Sequence, residues 1–443
     1  MSTVNLDPLR NCFEGAVPGP LATCDLDGIP NISYLSQVQY VDREHIALTF
    51  QFFNKTRRNV LANPNAQLGV VDPETGNSYR LNVHYLRTET SGPLFESMKA
   101  KLAGIASHTG MAGIFKLMGA DVYRVSAVEP VGTGIPREST RINNLPILRK
   151  LTQQLNQCAD LSALLDSTLN SLRKDFGISH AMILMLDESG QRLYTVASSG
   201  YAESGIGSEI PLGAGVIGVA ARERTAIRIS HMNAEYAYNA AIRDNSVAHG
   251  FDLETAIPLP GIAESRSQLA VPIANGSCLY GVIYVEAEQD LRFSYDDEDA
   301  LMTLANHLAM LMQQFAVSAE MANEATSVSQ VATPQGKPVR VRHFGGDHSI
   351  FLDDDYLIKG VAGAIFWRLV QEYTQSARDS FSNRELRLDP SLALPELGDN
   401  LEARLLLLQR RLAERQACVQ MQKTGRGRFR LNVNRPLLPQ AEP

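Results

Sequence analysis

A strand that runs straight into a basic turn and a helix closed by proline constrains this chain more than any other stretch. In Ile46–Leu68, IALTFQFFNKTRRNVLANPNAQL, the residues Ile46, Leu48, Phe50 and Phe52 alternate with Ala47, Thr49 and Gln51. That is the period of a half-buried strand. The chain turns at Asn54-Lys55. Thr56 can cap a short helix with Arg57 and Arg58 in its first turn, and Asn63-Pro64 ends it, because the residue before a proline is pushed out of helical geometry. A cap hydroxyl, free helix amides and guanidinium forks together suit a phosphate dianion. The same residues also read as a strand–turn–helix whose cations simply face water.

The pattern strand, NKTRRNVLANP, strand resembles the pyridoxamine-phosphate-oxidase-like family, whose fold is a split β-barrel that binds FMN. Family members carry a Ser/Thr–Arg–Lys/Arg triplet, then a Leu and an Asn-Pro. Here these are Thr56, Arg57, Arg58, Leu61 and Asn63-Pro64. The resemblance covers about residues 10–130. It includes a hairpin signal at Asp27-Gly28 between Leu21–Leu26 and Ile29–Ser36, the alternating Tyr79, Leu81, Val83 and Tyr85, and a closing strand at Asp121–Pro130. It implies FMN at a dimer interface, with the phosphate held by Lys55, Thr56, Arg57 and Arg58. Asn31, Ser33 and Asn82 are then candidates for the isoalloxazine edge. Relatives of this barrel also bind haem or a deazaflavin, and some bind nothing, so the cofactor stays open between FMN, haem and none. The substrate-binding residues of the true oxidases are not recognisable, which argues against vitamin B6 oxidation.

The chain of 443 residues has room for about three domains, and 44% hydrophobic with 20% charged residues is ordinary for a globular protein. No leader or membrane-spanning run is legible, and Cys12, Cys24, Cys158, Cys278 and Cys418 are scattered without metal-like spacing. A cytoplasmic protein with reduced thiols and no metal site is expected. Net charge is −7, unevenly spread: from Lys337 onward 17 Lys and Arg meet 13 Asp and Glu, net +4, whereas the preceding residues carry 24 against 35, net −11. That asymmetry permits a nucleic-acid contact near the C-terminus.

In the middle, Ile147–Phe176 has helical periodicity and leads into the strand-like HAMILMLDE, followed by LYTVASSG, IPLGAGVIGVAARERTAIRIS and SQLAVPIANGSCLYGVIYVEA. A last helix follows Phe293, with Ser294 near its start and Asp296, Asp297 and Glu298 in its first turn. This order resembles a GAF domain, an α/β sandwich on an antiparallel sheet, and places it at residues 142–317. Gly213, Gly215 and Gly218 lack the Lys-Ser/Thr of a nucleotide loop and match a glycine turn entering a helix. The resemblance implies a small-molecule pocket beside the connection Ser230–Glu264, which holds His231, Glu235, Tyr236, Tyr238, Arg243, His249 and Phe251. A surface loop with its own aromatic anchor accounts for the same residues.

Ser318–Lys337 reads as a linker. Beyond it come a helix at Val361–Tyr373 with the lone Trp367, a turn at Ser382-Asn383, the helix NLEARLLLLQRRLAER from Asn400, and a hairpin around Gly425-Arg426-Gly427. Residues 338–443 thereby resemble the winged-helix output domain of bacterial response regulators. The comparison puts Asn400–Leu412 on the recognition helix and Lys423–Leu431 on the wing. Arg404, Arg410, Arg411 and Arg415, with Lys423, Arg426, Arg428 and Arg430, are the candidate DNA contacts. The run Leu405–Leu408 departs from that pattern, since four consecutive residues sweep most of a helix's circumference. Leucines there suit a covered helix or a protein partner.

The whole is a multidomain α+β chain: split β-barrel (1–135), GAF domain (142–317), linker (318–337) and winged helix (338–443). The expected function is a sensor and transcriptional regulator, a homodimer with a small-molecule ligand and DNA as partners. The second reading is a flavin-dependent oxidoreductase with regulatory modules and a protein-binding winged helix.

Overall fold

The computed structural model describes residues 4–13, 19–35, 37–50, 54–108, 117–132, 143–187, 190–229, 257–320, 334–392, 401–425 and 427–442. The first part is a seven-stranded antiparallel sheet curled on itself, built from β1 (Gly19–Cys24), β2 (Pro30–Leu35), β3 (Val38–Tyr40), β4 (His45–Phe50), β5 (Asn65–Val71), β6 (Ser78–Glu89) and β7 (Gly119–Gly132) in the order β2-β1-β5-β6-β7-β4-β3. Helix α1 (Asn54–Ala62) joins β4 to β5, and α2 (Pro93–His108) joins β6 to β7. The β1–β2 turn follows the Asp-Gly signal: Gly28 has φ 80°, and Asp25 Oδ1 accepts from the Ile29 amide at 2.8 Å.

Leu21, Leu35, Ile46, Leu48, Leu68, Leu81, Val83 and Tyr123 fill the inside of the curl. The alternation of β4 does not mean one wet face. Ile46 and Leu48 point inward, while Ala47 packs outward with Met98, Leu102 and Ala120 under α2. Helix α1 begins at Asn54, so Thr56 sits inside its first turn and is not its cap.

The second part is a six-stranded antiparallel sheet of β8 (His180–Leu186), β9 (Arg192–Ser199), β10 (Glu209–Pro211), β11 (Ile227–Ile229), β12 (Ser267–Asn275) and β13 (Cys278–Ala287), ordered β10-β9-β8-β13-β12-β11. The periodic stretch Ile147–Phe176 is two helices, α3 (Asn144–Leu155) and α4 (Leu161–Lys174), broken where Asp160 caps α4 by accepting from Ala163 N at 2.9 Å. With α6 (Tyr295–Glu320) they cover one face of the sheet, and α5 (Gly215–Glu223) covers the other. At the start of α6, Ser294 and Asp297 cap each other's amides. The glycines before α5 serve backbone geometry: Gly213 has φ 83°, and a Cβ on Gly218 would lie 2.3 Å from Pro211 O.

The third part opens with β14 (Val339–Phe344), β15 (Ser349–Leu352) and β16 (Asp355–Ile358), joined by the last strand β20 (Leu437–Glu442) parallel to β14. Between them come α7 (Gly360–Ser376), β17 (Ser380–Ser382), α8 (Asn383–Leu388), α9 (Leu401–Glu414) and the hairpin β18 (Val419–Gly425)–β19 (Arg428–Val433), with β17 pairing to β19. Ser382 and Glu385 form a capping box at α8. All of Leu405–Leu408 are buried, and they share one apolar cluster with α4, α6 and α7. The second and third parts therefore have a common core. Among the described residues no helix is long and apolar enough to cross a membrane.

The closest backbone approach in the middle sheet gives a test. A Cβ on Gly281 would lie 2.0 Å from Leu184 O on the neighbouring strand. Gly281→Ala should destabilise the sheet by about 1–3 kcal/mol, read as an earlier urea transition in circular dichroism, whereas Gly345→Ala, with open space around it and no positive φ, should cost less.

Candidate functional site

Three side chains from two distant segments meet at the start of α1. Asn31 and Ser33 share one face of β2, and Thr56 comes from the first turn of α1. Asn31 Nδ2 donates to Thr56 Oγ1 at 2.9 Å, the Ser33 and Thr56 hydroxyls lie 2.5 Å apart, and Asn31 Nδ2 stands 3.4 Å from Ser33 Oγ. Thr56 is buried; Lys55 and Arg58 lie on the exposed side of the same turn. A compact set of hydroxyls and an amide beside two cations can hold a phosphate or carboxylate group.

Arg57 goes elsewhere. Its Nη1 meets Asp121 Oδ1 on β7 at 2.6 Å, and its guanidinium lies over the rings of Phe50 (4.7 Å) and Tyr85 (5.4 Å). Thr88 Oγ1 also donates to Asp121 at 2.5 Å. Burial pushes the Asp121 carboxyl up, and the Thr88 and Arg57 contacts oppose that push without cancelling it. Arg57, expected at the phosphate site, is thus engaged by a buried carboxylate of β7. Asn82 is also set apart. Through the register Asn82–Gln67–Ala22–Ile32 it belongs to the opposite face of the sheet from Asn31 and Ser33, and its Oδ1 accepts from Gln67 Nε2 at 3.0 Å.

In the second part, the residues expected at a pocket (His231, Glu235, Tyr236, Tyr238, Arg243, His249 and Phe251) lie outside the described residues. What is described there is a buried acid that the motif reading passed over. Glu286, at the end of the apolar strand β13, accepts from Ile262 N at 3.3 Å and from the Tyr284 hydroxyl at 3.4 Å, with Tyr201 beside it. Burial pushes the Glu286 carboxyl up, and the Tyr201 and Tyr284 phenols are pushed up by burial and by Glu286. A lone acid among GVIYVEA was the visible signal.

A second overlooked cluster joins the barrel to the middle sheet. The Tyr295 ring lies between the guanidiniums of Arg10 (4.6 Å) and Arg228 (4.3 Å), and its hydroxyl donates to Phe13 O at 3.2 Å. Arg228 pairs with Glu298 at 2.8 Å, and Arg10 with Asp299 at 3.1 Å. Burial would raise the Glu298 pKa, but Lys101, Arg228 and Arg10 outweigh it and hold the carboxyl below its ordinary range.

The candidate DNA contacts are placed mostly against protein. Arg404 is 8% exposed, with its guanidinium 4.0 Å from the centre of the Tyr194 ring. Arg410 donates to Val196 O (3.1 Å) and Ser162 Oγ (3.3 Å) and pairs with Asp166 (2.7 Å). Arg411 donates to Leu357 O (2.9 Å) and pairs with Glu414 (2.7 Å). Lys423 meets Asp160 at 2.7 Å, Arg430 lies 3.5 Å from Asp379, and Arg428 is half-buried at the rim of a cavity of about 100 Å³ between α4 and the hairpin. Arg415 is exposed; Arg426 lies outside the described residues. In this arrangement the cations of α9 do not face outward as a DNA-reading helix requires, because the middle part covers Arg404 and Arg410 and the third part's own β16 covers Arg411.

Comparison with known proteins divides the chain in the same way. The pyridoxamine 5'-phosphate oxidase family model matches residues 7–125 and the GAF domain model matches residues 158–313. Among curated proteins none matches. Similar solved structures include the GAF domain of the Acinetobacter phosphoenolpyruvate-protein phosphotransferase, with 25% identity over 40% of this chain and 96% of that one, TM-score 0.31. The free methionine-R-sulfoxide reductase of Neisseria meningitidis is 20% identical over 40% of this chain and 92% of its own, TM-score 0.31. An FMN-binding protein of Syntrophomonas wolfei is 17% identical over 30% and 86%, TM-score 0.23. The chain thus carries a segment of the pyridoxamine 5'-phosphate oxidase type followed by a GAF domain.

Two outcomes follow from the buried charges. Asp121→Asn leaves Arg57 without its counter-charge and should destabilise the barrel by about 2–4 kcal/mol, with much of that regained in Arg57→Met/Asp121→Leu; urea melts of the four-member cycle check this. Glu298 has a folded-state pKa below its ordinary 4.5, so its stabilising contribution is complete above that value and is lost as pH falls through the folded-state value. Glu298→Gln should flatten the acid side of the stability–pH curve below about pH 5.

Proposed function

We propose that this chain, which joins an oxidase-type barrel to a GAF domain, is a multidomain sensor whose third part, residues 338–443, is a winged-helix output module that binds DNA. The barrel (1–135) and the GAF domain (142–317) receive a redox or small-molecule signal, and the third part answers it. The single observation that carries this reading is the common apolar core of the GAF helices and α9. Parts that share a core cannot rearrange independently, so a ligand that prefers one arrangement biases the other part as well. The order of α7, α8, α9 and the β18–β19 hairpin supports the winged-helix assignment.

The residues at the start of α1 fit the phosphate of FMN. Thr56, Asn31 and Ser33 supply convergent donors, and Lys55 and Arg58 supply charge at the rim. Arg57 acts from behind, fixing the turn of α1 to β7 through Asp121. A bound flavin supplies hydride and electron transfer, which the surrounding protein positions and tunes. Leu26, Ile29, Ile32 and Tyr34 stand exposed on the β1–β2 hairpin and support pairing of two barrels as a homodimer. The unpaired state of all five cysteines supports a reducing, cytoplasmic setting.

The second reading, a flavin-dependent oxidoreductase with a protein-binding C-terminal part, draws on the same α9, whose leucines and arginines are engaged with protein. Two measurements separate the readings. Purified protein titrated with FMN should acquire flavin absorbance, and Thr56→Val should weaken the binding about tenfold by removing one charge-assisted donor while leaving the fold intact. Sensor behaviour then appears as a retarded DNA fragment in gel shifts at low salt. Steady turnover with an electron donor and no shift for any genomic fragment would replace it with the enzyme.

A further inference from the structure

We propose that the seating of α9 on the GAF domain is an autoinhibitory latch, in which GAF carboxylates occupy the positions that DNA phosphates would take. This rests on the winged-helix reading and adds its regulation. Three of the cations that such a helix and wing would present to a duplex, Arg404, Arg410 and Lys423, have a partner on the GAF side. Arg410 Nη2 is 2.7 Å from Asp166 Oδ1 on α4, and its Nη1 donates to Val196 O on β9. Lys423 Nζ is 2.7 Å from Asp160 Oδ2 at the head of α4. Arg404 is stacked on Tyr194 of β9 and almost wholly buried. Both members of each ion pair come from different parts of the chain, and the charge balance (net −11 before Lys337, net +4 from there on) has the sign such a mimic needs.

Geometry makes the two partners exclusive. Arg410 spends both terminal nitrogens on the GAF domain, Nη1 on Val196 O and Nη2 on Asp166 and Ser162, so its end-on fork is occupied where a phosphate would sit. An arginine lying under Tyr194 cannot reach the outside of the molecule. Duplex binding therefore requires α9 and the hairpin to leave the GAF surface. The leucine run explains why they stay: Leu405 and Leu406 line the junction with Leu161, and a Cβ on Gly207 would lie 3.9 Å from Leu407. Opening uncovers these leucines, so the closed form dominates until a ligand favours the open one, and the apparent affinity for DNA falls in proportion to the open fraction.

The test changes only the GAF side and leaves every proposed DNA contact in place. Asp160→Asn/Asp166→Asn in the full chain removes both charges, and asparagine keeps the α4 cap because it is as good a cap as aspartate. Glu44→Gln/Glu129→Gln in the barrel changes net charge equally and serves as the control. A fluorescent random-sequence duplex probes DNA affinity at fixed salt, and amide hydrogen exchange over residues 401–414 reports the latch itself. The expected result is DNA binding about five- to tenfold tighter than wild type, with faster exchange in α9, and a change below twofold in the control. Unchanged exchange and unchanged affinity would overturn the latch. Wild-type protein that binds as tightly as the variant while α9 stays protected would also overturn it, yet would leave DNA binding standing. Faster exchange with no DNA binding in either form would sink the DNA reading and with it the masking role, leaving α9 as a contact of other purpose.

Discussion

Most of the molecule's organisation depends on where Leu405–Leu408 can be buried. Successive residues of an α-helix are turned by about 100°, so four leucines in a row point in nearly every direction and no single flat partner can cover them. Each exposed leucine costs about 1.5–3 kcal/mol relative to burial. A helix with this run must lie between two bodies. Here those are its own module, through α7 and β16, and the GAF domain, through α4 and β9. Once α9 is held in that slot, the arginines interleaved with the leucines find GAF and module partners, and the third part becomes continuous with the second.

The same angular argument accounts for the splitting of the Thr56-Arg57-Arg58 triplet. Adjacent helical residues cannot all reach one ligand group. Thr56 turns inward to Asn31 and Ser33, Lys55 and Arg58 share the outer side, and Arg57 falls between, where Asp121 and two aromatic rings take it. What reads in one dimension as a continuous phosphate cradle is in three dimensions a donor cluster with a separate internal strut. At the other junction, Tyr295 between Arg10 and Arg228 ties the barrel to the GAF domain with Glu298 as the counter-charge. The three parts are thus linked in series, each junction by apolar packing reinforced with partly exposed ion pairs.

Local pattern and pairwise chemistry were legible in the sequence by itself. The Asp27-Gly28 hairpin, the alternation of β6, the paired glycines entering α5, the Ser294–Asp297 cap and the order of helices and hairpin near the C-terminus all depend on neighbours within a few residues. The structure carries each of them. The convergence of Asn31 and Ser33 on Thr56 was legible only as a set of candidates, since their meeting depends on β2 and α1 being brought together across the barrel. The direction of Arg57, the isolation of Asn82 on the other sheet face, the burial of Glu286 and the engagement of Arg404, Arg410 and Lys423 with the GAF domain were decided by tertiary structure alone. The reason is physical: a side chain's type and helical or strand phase are set by its own stretch of chain, but what it touches is set by which distant surface must be buried against that stretch. For this chain, the leucines of α9 say from the sequence that they need cover, and only the fold says that the cover is the GAF domain.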